Sequence, residues 1–171
     1  MNKGYIHVYT GNGKGKTTAS FGLAIRALGA GKKVFIGQFM KGIKDSAFEI
    51  LEKLENLEIK MFGATSFVGN NPKYTDITKA QEGYEYSLNI LKSNEYDVVI
   101  LDELNLCFIT ELITEEQFNE LIAAKPENVE LIITGRYATD FVLEKADLVT
   151  EMKDKKHYYR DGVLARKGID F

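Results

Sequence analysis

A glycine-rich loop near the start of the chain has the residue types of a phosphate-binding site. Residues 10–18 read Thr-Gly-Asn-Gly-Lys-Gly-Lys-Thr-Thr and lie between an apolar segment and a long helical pattern. Backbone N–H groups of small residues can surround an anion, the Lys16 ammonium can reach the outer phosphates, and the Thr17 hydroxyl can bind Mg²⁺. The loop therefore predicts that the chain binds a nucleoside triphosphate.

The loop departs from the strict Walker pattern G-x-x-x-x-G-K-[ST], because Thr10 stands where that pattern has glycine and Gly11 follows one residue later. A glycine-rich turn with incidental lysines is the alternative interpretation. Nucleotide binding is favoured because a strand pattern precedes the loop and a helical pattern follows it. The loop by itself does not determine what happens to the nucleotide.

Two carboxylates follow a second apolar segment. The pattern Asp97-Val-Val-Ile-Leu ends in Asp102-Glu103, and an open α/β sheet binds its ligands at the carboxyl ends of its strands. A carboxylate at this edge can bind Mg²⁺ opposite Thr17 and neutralise phosphate charge. Asp-Glu at a strand end also caps helices, and the spacing does not decide which of the two carboxylates contacts the metal.

Basic residues are the next candidates for anion contact. Arg136 follows the strand pattern Leu131–Thr134, and Arg26 lies towards the end of the first predicted helix. Each arginine fits either a ligand contact or a structural ion pair. Residues 153–167 contain six basic and two acidic side chains with two tyrosines, which fits either a solvated hairpin or a flap that faces an anion. Cys107 lies in an apolar run and is interpreted as a buried small hydrophobe.

Short apolar segments alternate with helical patterns along the chain, which predicts an α/β fold. Such alternation is typical of a mostly parallel sheet with helices on both faces, and the loop makes it P-loop NTPase-like. Strands are predicted at residues 5–9, 33–40, 57–62, 97–102, 129–134 and 147–152. Helices are predicted at about residues 17–28, 47–54, 77–91 and 115–124, and residues 63–74 form a long loop of the kind that is often functional.

Composition restricts the class of protein. The chain has 171 residues, 44% of them apolar, and two prolines, which predicts one folded domain over residues 1–171. With 22 basic and 25 acidic residues, a nucleic-acid partner is not expected. No signal sequence and no apolar run near the ~18 residues of a membrane span are seen. The cytoplasm is therefore the expected location.

Several motifs together resemble the ATP:corrinoid adenosyltransferases of the P-loop type, and the likeness extends over nearly the whole chain. The motifs are residues 9–18, Gly37-Gln-Phe-Met-Lys-Gly42, Val99-Ile-Leu-Asp-Glu-Leu104, Ile133-Thr-Gly-Arg136, Ala146–Met152 and Lys167-Gly-Ile-Asp-Phe171. The resemblance implies a homodimeric enzyme that transfers the 5′-deoxyadenosyl group of ATP to the reduced cobalt of a corrinoid and releases triphosphate. Mg²⁺ or Mn²⁺ would accompany ATP, and a flavoprotein or another reductase would donate electrons.

The resemblance also implies roles for individual residues. Co(I) needs no general base, so the catalytic residues Lys16, Thr17 and Glu103 would act on the leaving triphosphate. ATP would lie reversed in the loop, with its γ-phosphate where an α-phosphate normally lies. The nucleotide-binding candidates are Thr10, Gly11, Asn12, Gly13, Lys14, Gly15, Lys16, Thr17, Thr18, Arg26 and Arg136, and the metal-binding candidates are Thr17, Glu103 and Asp102.

The corrinoid side departs from the family pattern. Related sequences carry Phe-Thr-Trp in the long loop, where aromatic side chains displace the lower ligand of the corrinoid. This chain has Phe67-Val68-Gly69 at the matching position and no tryptophan. Phe67 is therefore the candidate for that role, with Phe39 or Tyr74 lining the site.

Two other functions fit the residues without the resemblance. A small kinase or ATPase would act on the γ-phosphate and produce ADP. A non-catalytic, ATP-dependent corrinoid-binding protein would produce neither product, and the absent tryptophan favours it. The products formed from ATP distinguish these alternatives.

Overall fold

The computed structural model describes residues 2–64 and 72–171. Within them the chain forms one six-stranded sheet in which every pairing is parallel, in the order β3-β2-β4-β5-β1-β6. The strands are β1 (Ile6–Thr10), β2 (Val34–Phe39), β3 (Leu57–Phe62), β4 (Val98–Asp102), β5 (Glu130–Thr134) and β6 (Leu148–Glu151). The predicted α/β fold is confirmed, and the sheet is wholly rather than mostly parallel.

Helices connect the strands, and four of them match predicted segments. The helices are α1 (Lys16–Gly29), α2 (Phe48–Leu51), α3 (Tyr74–Ser93), α4 (Leu104–Ile109), α5 (Glu115–Ala124) and α6 (Asp140–Lys145). The structure differs from the prediction in α2, which is a single turn, and in α3, which starts at Tyr74, where the Asp76 carboxylate accepts from the Lys73 N–H over 2.8 Å. Helices α4 and α6 were not predicted, because six residues are too few to show a helical period.

The two faces of the sheet bury separate apolar clusters. Along β2, Val34 and Ile36 face α1 and α2, whereas Phe35 and Phe39 face α3, as the two-residue period of a strand requires. Cys107 is fully buried on the α3 side, and burial raises the pKa of its thiol. The interpretation of Cys107 as a small core hydrophobe is therefore confirmed.

Parallel pairing places the carboxyl ends of all six strands at one edge of the sheet. The loops that follow β1, β2, β4 and β5 therefore meet there, and they carry the residues whose types suggested chemistry. Among the residues the structure describes, no helix combines the length and the apolar character needed to cross a membrane.

Helix α3 approaches the sheet closely at Gly83. A Cβ atom added there would lie 2.6 Å from Phe39 Cε1 and 2.8 Å from Phe62 Cβ, so Gly83→Ala would overpack the core. We expect this overpacking, roughly 1–3 kcal/mol, to exceed the gain of about 1 kcal/mol from alanine in a helix. Thermal unfolding of the apoprotein should show a lower Tm.

Gly22 in α1 provides the matched control. An added Cβ there meets no described atom within 4 Å, so Gly22→Ala has only the helix-propensity effect and should raise the Tm. If both variants shift the Tm upward, close packing of α3 at Gly83 does not limit stability.

Candidate active site

The glycine-rich loop takes a conformation that glycine allows. Gly11 and Gly15 have φ angles of +96° and +114°, in the left-handed region. The Gly13 N–H donates to the Met152 carbonyl over 2.7 Å, and a Cβ at Gly13 would lie 2.6 Å from that same oxygen. The loop is therefore held against the chain that leaves β6.

Helix α1 begins directly at the end of this loop. Gly15 occupies the N-cap position, and because glycine has no side chain it cannot cap the first N–H groups of the helix. The first turn of a helix leaves its N–H groups without intrahelical acceptors, and the helix dipole places partial positive charge there. The N-terminus of α1 is thus arranged as an anion site.

Lys16 lies inside the loop with only 6% of its surface exposed. Its ammonium donates to the carbonyl oxygens of Gly11 and Gly13, both over 2.8 Å. Burial lowers the pKa of Lys16, and the nearby Glu103 carboxylate partly opposes that effect. The ammonium is therefore kept in place by neutral carbonyl groups that a phosphate can replace.

Asp102 lies at the end of β4 and is fully buried. It accepts hydrogen bonds from Thr17 Oγ1 (3.2 Å), Gln38 Nε2 (2.9 Å) and Thr134 Oγ1 (2.7 Å). Burial raises the pKa of its carboxyl, against the lowering effect of these hydrogen bonds. Asp102 thus joins the phosphate loop to β2 and β5.

Glu103 follows Asp102 and points in a different direction. Its φ of +60° is left-handed, an uncommon conformation for a non-glycine residue, and its N–H donates to Thr134 Oγ1 over 3.0 Å. Its side chain lines the cavity beside the phosphate loop. Burial is the largest cause that raises the pKa of Glu103, and the negative charge of Asp102 is the second. The positive charges of Lys16, Lys41 and Arg136 act in the opposite direction.

The cavity in front of the loop has a volume of about 760 Å³. Lys14, Lys16 and Arg136 contribute positive charge to its wall, and Phe21 and Ile25 of α1 contribute apolar surface. The positively charged part of the wall fits the phosphates of a nucleotide, and the apolar part fits its nucleoside. The cavity can therefore accommodate a molecule with both parts.

The structure places the predicted nucleotide-binding residues in two groups. Members of the first group line the cavity: Gly13, Lys14, Gly15, Lys16, Thr17, Thr18 and Arg136. The second group, Thr10, Gly11, Asn12 and Arg26, lies outside the described cavity wall, and the Gly11 carbonyl accepts from Lys16 within the loop. Thr10 Oγ1 accepts from Ala138 N (3.1 Å), Asn12 Oδ1 accepts from Asp154 N (3.2 Å), and Arg26 is exposed further along α1. Thr10 and Asn12 thus shape the loop from outside.

The two corrinoid candidates that the structure describes lie in different environments. Phe39 is fully buried and packs against Phe62 with ring centroids 5.6 Å apart, so it is a core residue with no surface open to a ligand. Tyr74 is 82% exposed at the start of α3. Phe67 lies outside the described residues.

Sequence reasoning did not assign roles to three residues that hold the site together. Gln38 and Thr134 fix Asp102, and Lys41 lines the cavity. All three lie at or just after the carboxyl ends of β2 and β5, the same position that had identified Asp102. The available signal was therefore strand-end position combined with residue type.

Comparison with known proteins shows the family of the chain. A family described as ATP:corrinoid adenosyltransferase BtuR/CobO/CobP matches residues 2–171. The corrinoid adenosyltransferase of Escherichia coli K12 is 36% identical over 170 residues, covering 99% of this chain and 86% of the relative. The Pseudomonas aeruginosa corrinoid adenosyltransferase is 33% identical over 171 residues, covering 99% and 84%. Corrinoid adenosyltransferase CobA of Salmonella typhimurium LT2 is 35% identical over 170 residues, covering 99% and 86%. The chain belongs to the ATP:corrinoid adenosyltransferase family.

Proposed function

We propose that this protein transfers the 5′-deoxyadenosyl group of ATP to the reduced cobalt of a corrinoid and releases inorganic triphosphate. The observation that carries the proposal is the cavity at the phosphate loop, where Lys16, Glu103 and Arg136 meet at one sheet edge in a chain that matches the family over residues 2–171. A γ-phosphate kinase or ATPase is not favoured, because the whole-length relatives carry the adenosyltransferase name.

The reaction sets the requirements on the residues. Both electrons of the new Co–C bond come from Co(I), which attacks C5′ of the ribose, and the C5′–O electron pair leaves with the triphosphate. No proton has to be removed from the nucleophile. The negative charge that develops on the leaving oxygen is therefore the feature that the protein has to stabilise.

Lys16 and the N-terminus of α1 supply that stabilisation. The buried ammonium of Lys16 already lies in a cradle of carbonyl oxygens, so little reorganisation is needed to present it to phosphate. The N–H groups of the first turn add fixed positive dipoles on the same side. Pre-arranged charge of this kind is more effective in a site that excludes water than in bulk solvent.

The residues present fit a divalent metal with a preference for oxygen ligands. Thr17 and Asp102 lie at the loop, Glu103 lines the cavity, and Gln38 Oε1 is a buried oxygen without a hydrogen-bond partner among the described residues. Mg²⁺ bound with ATP usually needs only one or two carboxylates besides phosphate oxygens and water. When bound, the metal would neutralise charge on the triphosphate.

We assign direct metal contact to Glu103 rather than to Asp102. Asp102 is fully buried and accepts hydrogen bonds from three side chains, so its oxygens already have partners. We propose that Asp102 orients the Thr17 hydroxyl instead. Mn²⁺ has similar ligand preferences and is expected to substitute for Mg²⁺.

Product analysis tests the proposed function. The protein is incubated anaerobically with ATP, Mg²⁺ and chemically reduced cobalamin, and the corrinoid spectrum and phosphate species are followed together. An adenosylcobalamin spectrum with stoichiometric triphosphate is expected. ADP with an unchanged corrinoid would identify a kinase or ATPase, and bound corrinoid without either product would identify a binding protein.

Phe67 is our candidate for displacing the lower ligand of the corrinoid, by analogy with the aromatic pair of related sequences. We expect Phe67→Ala to slow turnover about tenfold or more when Co(II)-corrinoid must be reduced on the enzyme, a change of ~1.4 kcal/mol in the barrier. The loss should be much smaller when chemically prepared Co(I) is supplied. Tyr74→Ala, which removes another aromatic candidate, is compared with Phe67→Ala in the same two assays. Equal losses for Phe67→Ala with Co(II)- and with Co(I)-corrinoid would contradict the assignment.

Membership of the family also leads us to propose a homodimer in the cytoplasm that receives electrons from a flavoprotein or another reductase. Sedimentation measurements of the mass in solution test the first point. Turnover with a purified flavoprotein reductase in place of a chemical reductant tests the second.

A further inference from the structure

The last fifteen residues of the sequence pack over the phosphate loop, and we call residues 157–171 the closing segment. Lys14 Nζ donates to the Ile169 carbonyl over 2.8 Å and to Asp170 Oδ1 over 2.5 Å. These contacts join positions 155 and 156 residues apart in sequence. The loop that is expected to bind phosphate is therefore in direct contact with the closing segment.

Asp170 is the centre of these contacts. Its carboxylate also accepts from Tyr158 Oη (2.6 Å), from Arg166 N (3.0 Å) and from Arg166 Nε (3.2 Å). Its side chain is only 12% exposed. Lys14 and Tyr158 hold the pKa of Asp170 well below its usual range, so the carboxylate stays charged at neutral pH.

A second anchor of the closing segment is Ser46, which also lines the cavity. Ser46 Oγ donates to the Phe171 carbonyl over 2.9 Å. Tyr158, Ile169 and Phe171 line the same cavity as Ile25 of α1. The closing segment thus forms the cavity wall that the sheet edge does not provide.

We propose that Asp170 is a positioning residue for the nucleoside triphosphate: it docks the closing segment on Lys14, so that segment docking and triphosphate binding support each other. An ammonium has three N–H donors, and the described contacts of Lys14 use two of them. The third is available for a phosphate oxygen. Lys14 can therefore hold the segment and the triphosphate at the same time.

The charges around Asp170 favour a positioning role over competition with phosphate for Lys14. Asp170 would compete with phosphate if its charge were uncompensated. Instead it is matched by Lys14 and Arg166, and the segment carries three basic residues against two acidic ones. Of the charged residues in the segment, Asp170 is the one that lines the cavity, and its charge is already paired there.

Asp170→Asn tests the proposal, with Asp161→Asn as the matched control. Asp161 lies in the same segment, is exposed and has no described side-chain partner. Loss of a charged hydrogen bond predicts an ATP·Mg²⁺ dissociation constant raised ~10-fold in Asp170→Asn. In the steady state, the KM for ATP should rise similarly, whereas kcat at saturating ATP and the KM for the corrinoid should change less than about twofold. Asp161→Asn should match the wild type.

Limited trypsin digestion reports docking directly, because Lys167 lies within the segment. ATP·Mg²⁺ should slow cleavage after Lys167 in the wild type and should have little effect in Asp170→Asn. Inorganic triphosphate is the second probe and should also protect the wild type. Tyr158→Phe removes one donor to Asp170 and should give a smaller effect in the same direction, which keeps the test valid if Asp170→Asn folds poorly.

Three outcomes would overturn the proposal. Tighter ATP binding by Asp170→Asn would show that the carboxylate competes with phosphate for Lys14. Binding equal to that of Asp161→Asn would show that docking and binding are independent. Additive effects in a double-mutant cycle with Lys14→Met would show that the two residues are not coupled.

The proposal rests on the proposed function only for the triphosphate ligand. Binding and digestion are measured without corrinoid, so they test Asp170 even if no adenosyl transfer occurs. Conversely, a wild type that adenosylates cobalamin, with Asp170→Asn indistinguishable from it, would retain the function and remove the role of Asp170.

Discussion

Lys16→Met should lower kcat/KM for ATP by about 10²–10³-fold, the cost of removing one pre-arranged donor from a developing negative charge. The wild-type ammonium is buried and points into the loop. Methionine preserves the length and apolar part of the side chain but cannot donate to phosphate. The loss should appear mainly in kcat, because charge on the triphosphate grows as the C5′–O bond breaks.

Triphosphate release with chemically prepared Co(I)-corrinoid measures this effect without the reduction step. Lys53→Met is the control, because Lys53 is exposed and has no described ion pair. Titration calorimetry with ATP·Mg²⁺ gives the binding part separately. If the dissociation constant rises while kcat is unchanged, Lys16 binds the ground state only and the assigned role is wrong.

The sheet could be predicted from the sequence because its strands are short apolar runs bounded by clear breaks. Five of the six predicted strand segments contain an observed strand in full, and β1 (Ile6–Thr10) ends one residue beyond the predicted segment 5–9. Strand order could not be predicted, since it depends on which helices cover which face, and periodicity does not carry that information. Helix α4 was missed because its sequence, Leu-Asn-Leu-Cys-Phe-Ile, is apolar almost throughout and shows no stripe.

The centre of the site could be predicted because two local patterns, the glycine-rich loop and Asp102-Glu103, end at the same sheet edge. The proposed roles of the two carboxylates are distinguished by the left-handed φ of Glu103 and by the hydrogen bonds to Asp102. Neither feature can be deduced from residue types. Phe39 illustrates the opposite case. An aromatic residue in a family motif was taken as a corrinoid candidate, but its position in β2 points it into the core.

The contact between Lys14 and Asp170 was beyond sequence reasoning for a different reason. The basic composition of residues 153–167 suggested a segment that faces an anion, and the alternative was a solvated hairpin. The contact itself joins the two ends of the sequence, and no local pattern predicts such a pairing. Tertiary structure was needed to identify Asp170, an acidic residue, as the one that meets the loop.

Glu103→Gln should have two opposite effects. We expect it to lower adenosylation with ATP·Mg²⁺ by at least ~10²-fold, because an amide is a poor ligand for the metal that we propose neutralises the leaving triphosphate. In the apoprotein it should raise the Tm. Glutamine keeps the shape of the side chain at this left-handed position while removing a charge that is buried.

The pH dependence of the stability gain follows from the raised pKa of Glu103. Burial is the main cause of the shift. The pKa of Glu103 is therefore higher in the folded state than its unfolded value near 4.5. Between that value and the raised native pKa the folded state binds more protons, and the free energy of unfolding therefore falls as pH rises. Above the native pKa the wild type retains the full penalty. The gain in Glu103→Gln should thus be largest above the native pKa of Glu103 and should shrink as the pH falls towards 4.5, with each kcal/mol seen as roughly 2–4 °C in the Tm.

Thermal unfolding in EDTA, with Glu144→Gln as an exposed control, measures the stability effect, and addition of ATP·Mg²⁺ links it to function. A ligand that binds only the folded state raises the Tm of the protein. The Tm of the wild type should therefore rise more than that of Glu103→Gln, and the difference between the two Tm values should narrow or change sign. A lower Tm for Glu103→Gln across the whole pH range would mean that the attraction between Glu103 and its neighbours Lys16, Lys41 and Arg136 exceeds the cost of burial. The charge at Glu103 would then be a structural requirement of the apoprotein, and loss of activity in the variant could not be assigned to the metal alone.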